Sequence, residues 1–185
     1  MSRFPRMLRN VGRMLLAVAV SMTAAVVLAS PASAAVRCLG GPSWYVFHHG
    51  ETPNGNVVVP IGSSNLARVR PASFEPTSQY LLVCEDSSYG WGAVRLYSNT
   101  TKKWLGNDWP NPLQYPNIQT NLTETSPGGL FYLCDLDGNW LQLRHATSGL
   151  FVEKDPYNDL TLTSHRGGGS LYKTTPSLTH LMPHC

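Results

Sequence analysis

A segment of the sequence repeats at a spacing of 47 residues, and this repeat constrains the fold more than any other feature. Val94–Ser98 aligns with Leu141–His145, and the same offset carries Trp104-Leu105 onto Phe151-Val152. An Asp-x-x-Asn-x-Leu element is thereby repeated as Asp108, Asn111 and Leu113 and again as Asp155, Asn158 and Leu160. One further step back predicts two sets of three equivalent core positions, namely Val58, Leu105 and Val152, and Leu66, Leu113 and Leu160. Three repeats therefore fit better than two.

Short apolar runs alternate with turn residues every 8 to 12 positions, and no helical periodicity is evident. This pattern is typical of an all-β sandwich or barrel, here with about twelve strands. The repeats cover about 44–91, 92–138 and 139–177, with about four strands in each. Their unequal spacing places insertions in loops, of which the longest is predicted at Pro116–Gly129 in the middle repeat.

The first 34 residues carry the three parts of a secretory signal peptide. Four arginines between positions 3 and 13 precede the uncharged run Met14–Ala29, and Pro31–Ala34 supplies a small-x-small end. The apolar run is shorter than the roughly 20 residues that a membrane span needs. We therefore predict signal peptide 1–34 and a single domain, 35–185, which is secreted to the extracellular space and has no membrane span once the signal is removed.

The charge of the precursor is misleading about its partners. The chain has a formal net charge of +3, with 14 Lys plus Arg and 11 Asp plus Glu. Four of these arginines and none of the acidic residues lie in residues 1–34, so the mature domain keeps 10 basic and 11 acidic residues and a charge of −1. Such a domain has no general electrostatic attraction for nucleic acid, and we expect no nucleic-acid partner.

The four cysteines lie in the predicted mature part and form no Cys-x-x-Cys pair; they are Cys38, Cys84, Cys134 and Cys185. In an exported chain, this even number favours two disulfides over a metal or redox site, and spacing alone leaves all three connectivities open. The sequence also lacks the Gly-x-Ser-x-Gly, His-Glu-x-x-His and phosphate-loop motifs. We therefore expect no enzyme activity, no cofactor and no metal.

The segment Trp140–Asp155 resembles the Leu-Arg-x-x-x-x-Gly-x-x-Val strand pair of fascin-like β-trefoils. The resemblance implies a six-stranded barrel capped by three hairpins, whereas a jelly roll or sandwich would require no threefold repeat. Ricin-B-like sugar-binding trefoils carry a Gln-x-Trp element in each repeat, and no glutamine here has Trp two positions later. The galactose-type site of those lectins is therefore not carried over, and the superfamily alone does not determine function.

The trefoil resemblance also implies where the cysteines meet. Both chain ends and the last strand of each repeat would lie at the open end of the barrel. Cys84 and Cys134 would occupy equivalent places on the order of 10 Å apart, beyond ordinary disulfide reach. Each tail cysteine, Cys38 and Cys185, is therefore expected to pair with one of the inner two.

The repeated Asp-x-x-Asn-x-Leu element has two interpretations. In the structural one, Asp and Asn bond to the backbone and shape a turn, and the Leu lies in the core. In the functional one, two polar pockets each lie beside an aromatic ring, and the ligand-binding residues are Asp108, Trp109, Asn111, Asp155, Tyr157 and Asn158. Carboxylates and amides bond sugar hydroxyls, and a ring packs on the C–H face of a sugar. This favours a non-enzymatic, monomeric, carbohydrate-binding module acting through the loops after the second strand of repeats two and three.

The alternative hypothesis is an extracellular protein-binding module, either a protease inhibitor or a subunit of a secreted assembly. The loop Trp109–Pro127, with Tyr115 and Ile118, and the turn Ser87–Trp91 are predicted to expose apolar side chains. Exposed aromatic residues in loops can anchor protein interfaces.

Overall fold

The computed structural model of the chain describes residues 36–38, 44–50, 55–73, 79–90, 92–135, 140–165 and 172–178. All of them belong to one compact unit of the chain. The predicted signal peptide and Cys185 lie outside the described residues. Within this part of the chain, no helix is long and apolar enough to cross a membrane.

The described residues form thirteen strands and two 3-10 turns, so the all-β prediction is confirmed. The strands are β1 (Val36–Cys38), β2 (Trp44–His49), β3 (Asn56–Ile61), β4 (Leu66–Pro71), β5 (Tyr80–Asp86), β6 (Ala93–Ser98), β7 (Lys103–Gly106), β8 (Gln119–Leu122), β9 (Leu130–Asp135), β10 (Leu141–His145), β11 (Phe151–Lys154), β12 (Leu160–Thr163) and β13 (Tyr172–Thr175). The 3-10 turns are Ser87–Tyr89 and Pro127–Gly129.

Six antiparallel strands close into a ring. β2 pairs with β5, β5 with β6, β6 with β9, β9 with β10 and β10 with β13, and β13 returns to β2 with Tyr172 opposite His49. The remaining long strands form three hairpins, β3–β4, β7–β8 and β11–β12. Closure gives every ring strand two neighbours, which removes the exposed sheet edges that an open sheet would leave.

One apolar cluster fills the interior, and the first predicted set of equivalent core positions belongs to it. Val58, Leu105 and Val152 are each no more than 2% exposed. Each comes from a different hairpin, from β3, β7 and β11 respectively. The 47-residue offset therefore holds as far as the second strand of each predicted repeat.

The second predicted set of core positions is wrong at Leu66 and Leu113 and right at Leu160. Leu113 is 65% exposed, and Leu66 is only partly buried. Their places are taken by Ala67 and Ile118, which join Leu160 in the core, and the Ile118 amide donates to the Leu160 carbonyl at 2.7 Å. The reason is an insertion. Ile118 follows Leu105, the core residue of the preceding strand, by 13 positions, whereas Leu160 follows Val152 by only 8.

The predicted loop Pro116–Gly129 is also wrong for the same reason. The segment Pro116–Gly129 contains β8 and the 3-10 turn Pro127–Gly129. The actual insertion is the loop 107–118 between β7 and β8. Ile118, predicted to be exposed, is 1% exposed because it points into the core, whereas Tyr115 is 48% exposed as predicted.

The thirteenth strand, β1, adds to the twelve that the sequence predicts. It pairs with β5 and places Cys38 directly opposite Cys84. The two form a disulfide with their Cα atoms 3.7 Å apart, so one tail cysteine does pair with an inner one. Cys134 carries no free thiol. Because Cys185 lies outside the described residues, the second disulfide and its pairing stay a prediction.

Candidate functional site

The inserted loop 107–118 is organised by Asn107, which immediately follows β7 and is 2% exposed. Its Nδ2 donates to the carbonyls of Tyr115, at 2.7 Å, and Asn117, at 3.0 Å. Its Oδ1 accepts from the Trp109 amide at 3.1 Å. One buried side chain thus satisfies three backbone groups and fixes the path of the loop. Sequence reasoning missed Asn107, although a Gly-Asn pair after a strand is a turn signal.

Gly128, in the 3-10 turn Pro127–Gly129, anchors the loop from the opposite side. Its amide donates to Asp108 Oδ1 at 2.7 Å, and its carbonyl accepts from the Asn107 amide at 2.8 Å. A Cβ at this position would overlap the Asn107 carbonyl group, so only glycine permits so close an approach. Asp108 is therefore tied to a distant part of the chain rather than to its own turn.

His145, at the end of β10, joins the same network and is 2% exposed. Its Nε2 lies 3.0 Å from the Gly128 carbonyl and its Nδ1 lies 2.8 Å from Ser148 Oγ. Burial lowers the pKa of His145, although the Gly128 carbonyl and the charge of Asp108 oppose the shift. A carbonyl can only accept, so Nε2 carries a hydrogen and donates to Gly128; in the neutral ring, which the lowered pKa favours, Nδ1 accepts from the Ser148 hydroxyl. Sequence reasoning missed this residue as well.

A buried ion pair supports the segment just before Gly128. Arg95 Nε lies 2.8 Å from Asp86 Oδ2, with both side chains no more than 4% exposed. Arg95 Nη1 also donates to the Ser126 carbonyl at 2.7 Å. Burial alone would raise the pKa of Asp86, but hydrogen bonds from Ser88 and Arg95 and the charge of Arg95 outweigh it and lower this pKa.

A cleft of about 330 Å³ lies between the inserted loop and the turn after β10. Trp109, which is 44% exposed, and three prolines supply the apolar part of its wall. Asp108, Thr147 and Ser148 supply a carboxylate and two hydroxyls. The cleft thus combines an exposed indole with groups that accept and donate hydrogen bonds. We call it the Asp108 cleft.

A second cleft, of about 290 Å³, also has Trp109 in its wall. Its other lining residues are Leu66, Gln114, Tyr115, Pro116, Asn117 and Gln119. The Trp109 and Tyr115 rings contact each other with centroids 4.8 Å apart and planes tilted by 31°. We call this the glutamine cleft.

The structure divides the first predicted set of site residues. Asp108 and Trp109 line the Asp108 cleft, whereas Asn111 lines neither cleft. Instead Asn111 shapes the loop, because its carbonyl accepts from the amides of Gln114, at 3.1 Å, and Tyr115, at 3.2 Å.

The second predicted set lies on the short turn between β11 and β12. Asp155 Oδ1 accepts from the amides of Tyr157 and Asp159, both at 2.8 Å. Asn158 has a φ of 66°, and its Oδ1 lies 3.4 Å from Lys154 Nζ. Tyr157 is 81% exposed. The backbone hydrogen bonds of Asp155 are those of the structural interpretation, and the turn lines neither of the two clefts.

The turn Ser87–Tyr89 and the absence of a metal-binding cluster bear on the remaining predictions for the described residues. In the turn Ser87–Tyr89, Tyr89 is 51% exposed, while Trp91 falls outside the described part of the chain. Among the residues that the structure describes, no group of three His, Cys, Asp or Glu side chains could hold a metal ion.

No protein-family model matches the chain, and no curated protein matches it in sequence. Solved structures do match. The designed threefold-symmetric protein ThreeFoil aligns with a TM-score of 0.57 at 15% identity, covering 71% of this chain and 96% of that one. The fold is a β-trefoil. This result confirms the architecture that the sequence resemblance implied.

Other matched β-trefoils were solved with saccharides. SeviL bound to asialo-GM1 saccharide aligns with a TM-score of 0.55 at 11% identity, covering 71% of this chain and 95% of that one. The Polyporus squamosus lectin, bound to the epitope Neu5Acα2-6Galβ1-4GlcNAc, aligns with a TM-score of 0.58 at 6% identity. The aligned part is 71% of this chain and 48% of that lectin.

One matched structure is an enzyme, the endo-β-galactosidase from Clostridium perfringens that releases GlcNAcα1-4Gal. It aligns with a TM-score of 0.58 at 12% identity, covering 71% of this chain but only 31% of the enzyme. At such identities, the likeness of this β-trefoil to its neighbours concerns the fold alone.

Proposed function

We propose that the chain is a secreted, non-enzymatic β-trefoil module that binds carbohydrate, with the Asp108 cleft as its principal site. The observation that carries the proposal is the exposed Trp109 indole beside a carboxylate and two hydroxyls in one cleft. An aromatic face packs on the C–H side of a sugar ring, and the polar groups bond its hydroxyls. Wall chemistry of this kind fixes both the position and the orientation of a small polar ligand.

The wall of this cleft is held in place before any ligand arrives. Asn107 fixes the amide of Trp109, and Gly128 fixes one oxygen of Asp108. Asp108 Oδ1 accepts one backbone hydrogen bond, and a carboxylate has about four acceptor positions, so capacity remains for sugar hydroxyls. Because these groups are already ordered, binding costs less conformational entropy than a mobile loop would require.

The turn with Asp155, Tyr157 and Asn158 is proposed as a second, weaker site. Its Tyr157 ring is the most exposed of the large apolar side chains in the described residues. Asp155 Oδ1 already accepts two backbone hydrogen bonds within the turn. A sugar stacked on Tyr157 would be covered on one side only, and less of its surface would be removed from water than in a cleft.

The extracellular setting is proposed from two features of the sequence and fold. The signal-peptide pattern of residues 1–34 directs export. The disulfide between Cys38 and Cys84 fits an oxidising compartment. The saccharide-bound trefoils among the matched structures support the carbohydrate-binding part of the proposal, since SeviL aligns over nearly its whole length. We propose that the mature domain acts as a monomer.

A glycan array probed with tagged residues 35–185 tests the proposal. We expect wild-type protein to bind specific glycans and Trp109→Ala to lose that binding. Tyr89→Ala, which removes another exposed ring away from both clefts, serves as the matched control and should bind like wild type. Asp155→Ala combined with Tyr157→Ala should weaken the signal less than Trp109→Ala. A folded wild-type protein that binds no glycan above the Trp109→Ala background would overturn the proposal.

A second candidate function is extracellular protein binding, as a protease inhibitor or as a subunit of a secreted assembly. The observation that favours it is the exposure of Trp109, Leu113 and Tyr115 on one loop, each between 44% and 65% exposed. Leu113 lines neither cleft, so Leu113→Ala distinguishes the two functions. Protein binding predicts that this variant loses inhibition of a secreted serine protease or capture of a supernatant protein. Carbohydrate binding predicts no change on the glycan array.

A further inference from the structure

We infer that the ligand is an oligosaccharide of at least two sugar units that crosses Trp109, with one unit in the Asp108 cleft and the next in the glutamine cleft. This inference rests on the proposed carbohydrate-binding function. Its basis is that the Trp109 side chain belongs to the walls of both clefts, whose volumes are about 330 and 290 Å³. A ligand confined to either cleft would use only part of the exposed indole.

The glutamine cleft has the side chains to hold a second sugar. Gln114 and Gln119 line it, and each amide can donate two hydrogen bonds and accept others. Gln114 is exposed, and within the described part of the chain its side chain makes one long hydrogen bond, from Nε2 to the Tyr115 hydroxyl at 3.4 Å. Leu66, from the β3–β4 hairpin, also lines this cleft. The cleft therefore combines the carboxamides of Gln114 and Gln119 with aromatic rings. Carboxamides can bond sugar hydroxyls, and a ring can pack on the C–H face of a sugar.

The spacing between the two clefts is fixed by the fold. Asn107 bonds the Trp109 amide with one end of its carboxamide and the Tyr115 and Asn117 carbonyls with the other. A single buried side chain thus fixes the backbone of Trp109, which lines both clefts, and of two residues that line the glutamine cleft. Linked sugars that match a fixed spacing bind more tightly than separate ones because the second contact is intramolecular.

The two clefts differ in what they can accept. The Asp108 carboxylate accepts hydrogen bonds and repels anionic groups, so its cleft selects a neutral sugar with free hydroxyls. The carboxamides of Gln114 and Gln119 carry no charge and donate as well as accept, so the glutamine cleft also admits an acetamido or carboxylate substituent. The ligand is therefore directional, with its neutral unit beside Asp108.

The test uses calorimetry on mature protein with galactose, N-acetylglucosamine and mannose, each as the monosaccharide and as its di-, tri- and tetrasaccharide. We expect at least one series in which the disaccharide binds about tenfold or more tightly than the monosaccharide. Gln114→Ala with Gln119→Ala should remove most of this gain, so that the disaccharide binds little more tightly than the monosaccharide. Leu113→Ala, a truncation on the same loop outside both clefts, is the control and should keep the gain.

The outcomes separate this inference from the proposed function. Equal affinity for monosaccharide and disaccharide in every series that binds overturns the inference and leaves carbohydrate binding intact. A gain with length that survives the double glutamine variant also overturns it, because the second unit would then lie elsewhere. Absence of binding to every sugar, with a folded protein and a blank glycan array, overturns both.

Discussion

The loop 107–118 and the turn 155–159 contain the same Asp-x-x-Asn element, yet their backbones are held in different ways. In the turn, Asp155 accepts from the amides two and four positions ahead, so the segment closes on itself. In the loop, that local role belongs to Asn107, which bonds the amide two positions ahead. Asp108 is released from its own turn and bonds to Gly128, twenty positions away.

This difference explains why one segment lines clefts and the other does not. In the short turn, the Asp155 carboxylate bonds the backbone of its own segment, and no residue of the turn lines either cleft. The longer loop places its organising side chain one position earlier and inside the protein, and its following residues, Asp108 and Trp109, face a cleft. In this trefoil, the two clefts follow from the insertion at residues 107–118 rather than from the Asp-x-x-Asn-x-Leu element that recurs in the sequence.

The largest expected effect comes from Gly128, on which the loop depends and the turn does not. Gly128→Ala places a Cβ against the Asn107 carbonyl, so the loop must move, and overpacking of this kind costs about 3 kcal/mol. Urea unfolding should show this loss, and the glycan array should show loss of binding. Gly62→Ala is the control, because its Cβ would meet only Thr101 Cγ2, at 3.8 Å, and should change stability by no more than about 0.5 kcal/mol. Similar losses for both variants would contradict the proposed anchoring.

The second effect compares the two organising side chains directly. Asn107→Ala removes three hydrogen bonds from a buried site and leaves backbone groups unpaired, which should cost about 2 kcal/mol or more. Asp155→Ala removes two hydrogen bonds from a partly exposed turn, where water replaces them, and should cost about 1 kcal/mol. Urea midpoints at equal slope measure both. If the Asp155 variant proved the less stable, the ranking of loop and turn would be reversed.

A third effect is the contribution of His145, in the loop network, to the pH dependence of stability. The lowered pKa of His145 means that the unfolded chain binds its proton more readily than the folded protein. Stability should therefore be fully present above about pH 7 and fall as pH decreases through the ordinary histidine value of about 6.5. Asp86, whose pKa is also lowered, stabilises the folded protein throughout this pH range, and that stability is lost only as the pH falls below its ordinary value of 3.8.

Urea unfolding at pH 7.5 and pH 5.5 measures this slope. His145→Gln keeps a donor toward Gly128 and should reduce the slope. His48→Gln provides the comparison, since burial lowers the pKa of His48 outside the loop network. A slope that His145→Gln leaves unchanged would assign the pH dependence to other groups.

The smallest effect belongs to the turn. Arg68 of β4 forms an ion pair with Asp159, and the two side chains are 30% and 13% exposed. Pairs that water reaches contribute little, so Arg68→Ala should cost about 0.5 kcal/mol. Raising the salt concentration to 1 M should reduce wild-type stability by no more than a similar amount at this contact. A loss above about 2 kcal/mol would show that the short turn depends on its neighbour as strongly as the loop does.

The sequence was sufficient for the fold but not for the alignment within it. Hydrophobic periodicity and the repeated strand pair predicted the strands, and the offset of 47 correctly identified Val58, Leu105 and Val152 as core. Past that point the repeat aligned Leu113 with Leu160, because an Asp, an Asn and a Leu recurred at equal spacing. Chance agreement in short polar segments is common, since Asp and Asn are favoured in any turn.

The same misalignment concealed part of the site. With Leu113 assigned to the core, β8 fell into a predicted loop, and the sequence offered no reason to single out Asn107. The burial of Ile118 and the exposure of Leu113 distinguish the two alignments, but Ile118 immediately precedes a Gln-Thr-Asn-Leu strand of weak apolar character. His145 has no local signal at all, since its partner Gly128 comes from another part of the chain.

The pairing of β2 with β13 has a consequence for how the chain folds. Tyr172 pairs with His49 across 123 positions, and His48 Nε2 lies 3.2 Å from Thr175 Oγ1 at the same seam. Contacts this distant in sequence form late, because the chain loses the entropy of closing a long loop before the contacts can stabilise it. Until β13 docks, β2 and β10 each present an open edge to other chains. The last strand to join the barrel is thus also the one that protects the newly made chain from aggregation.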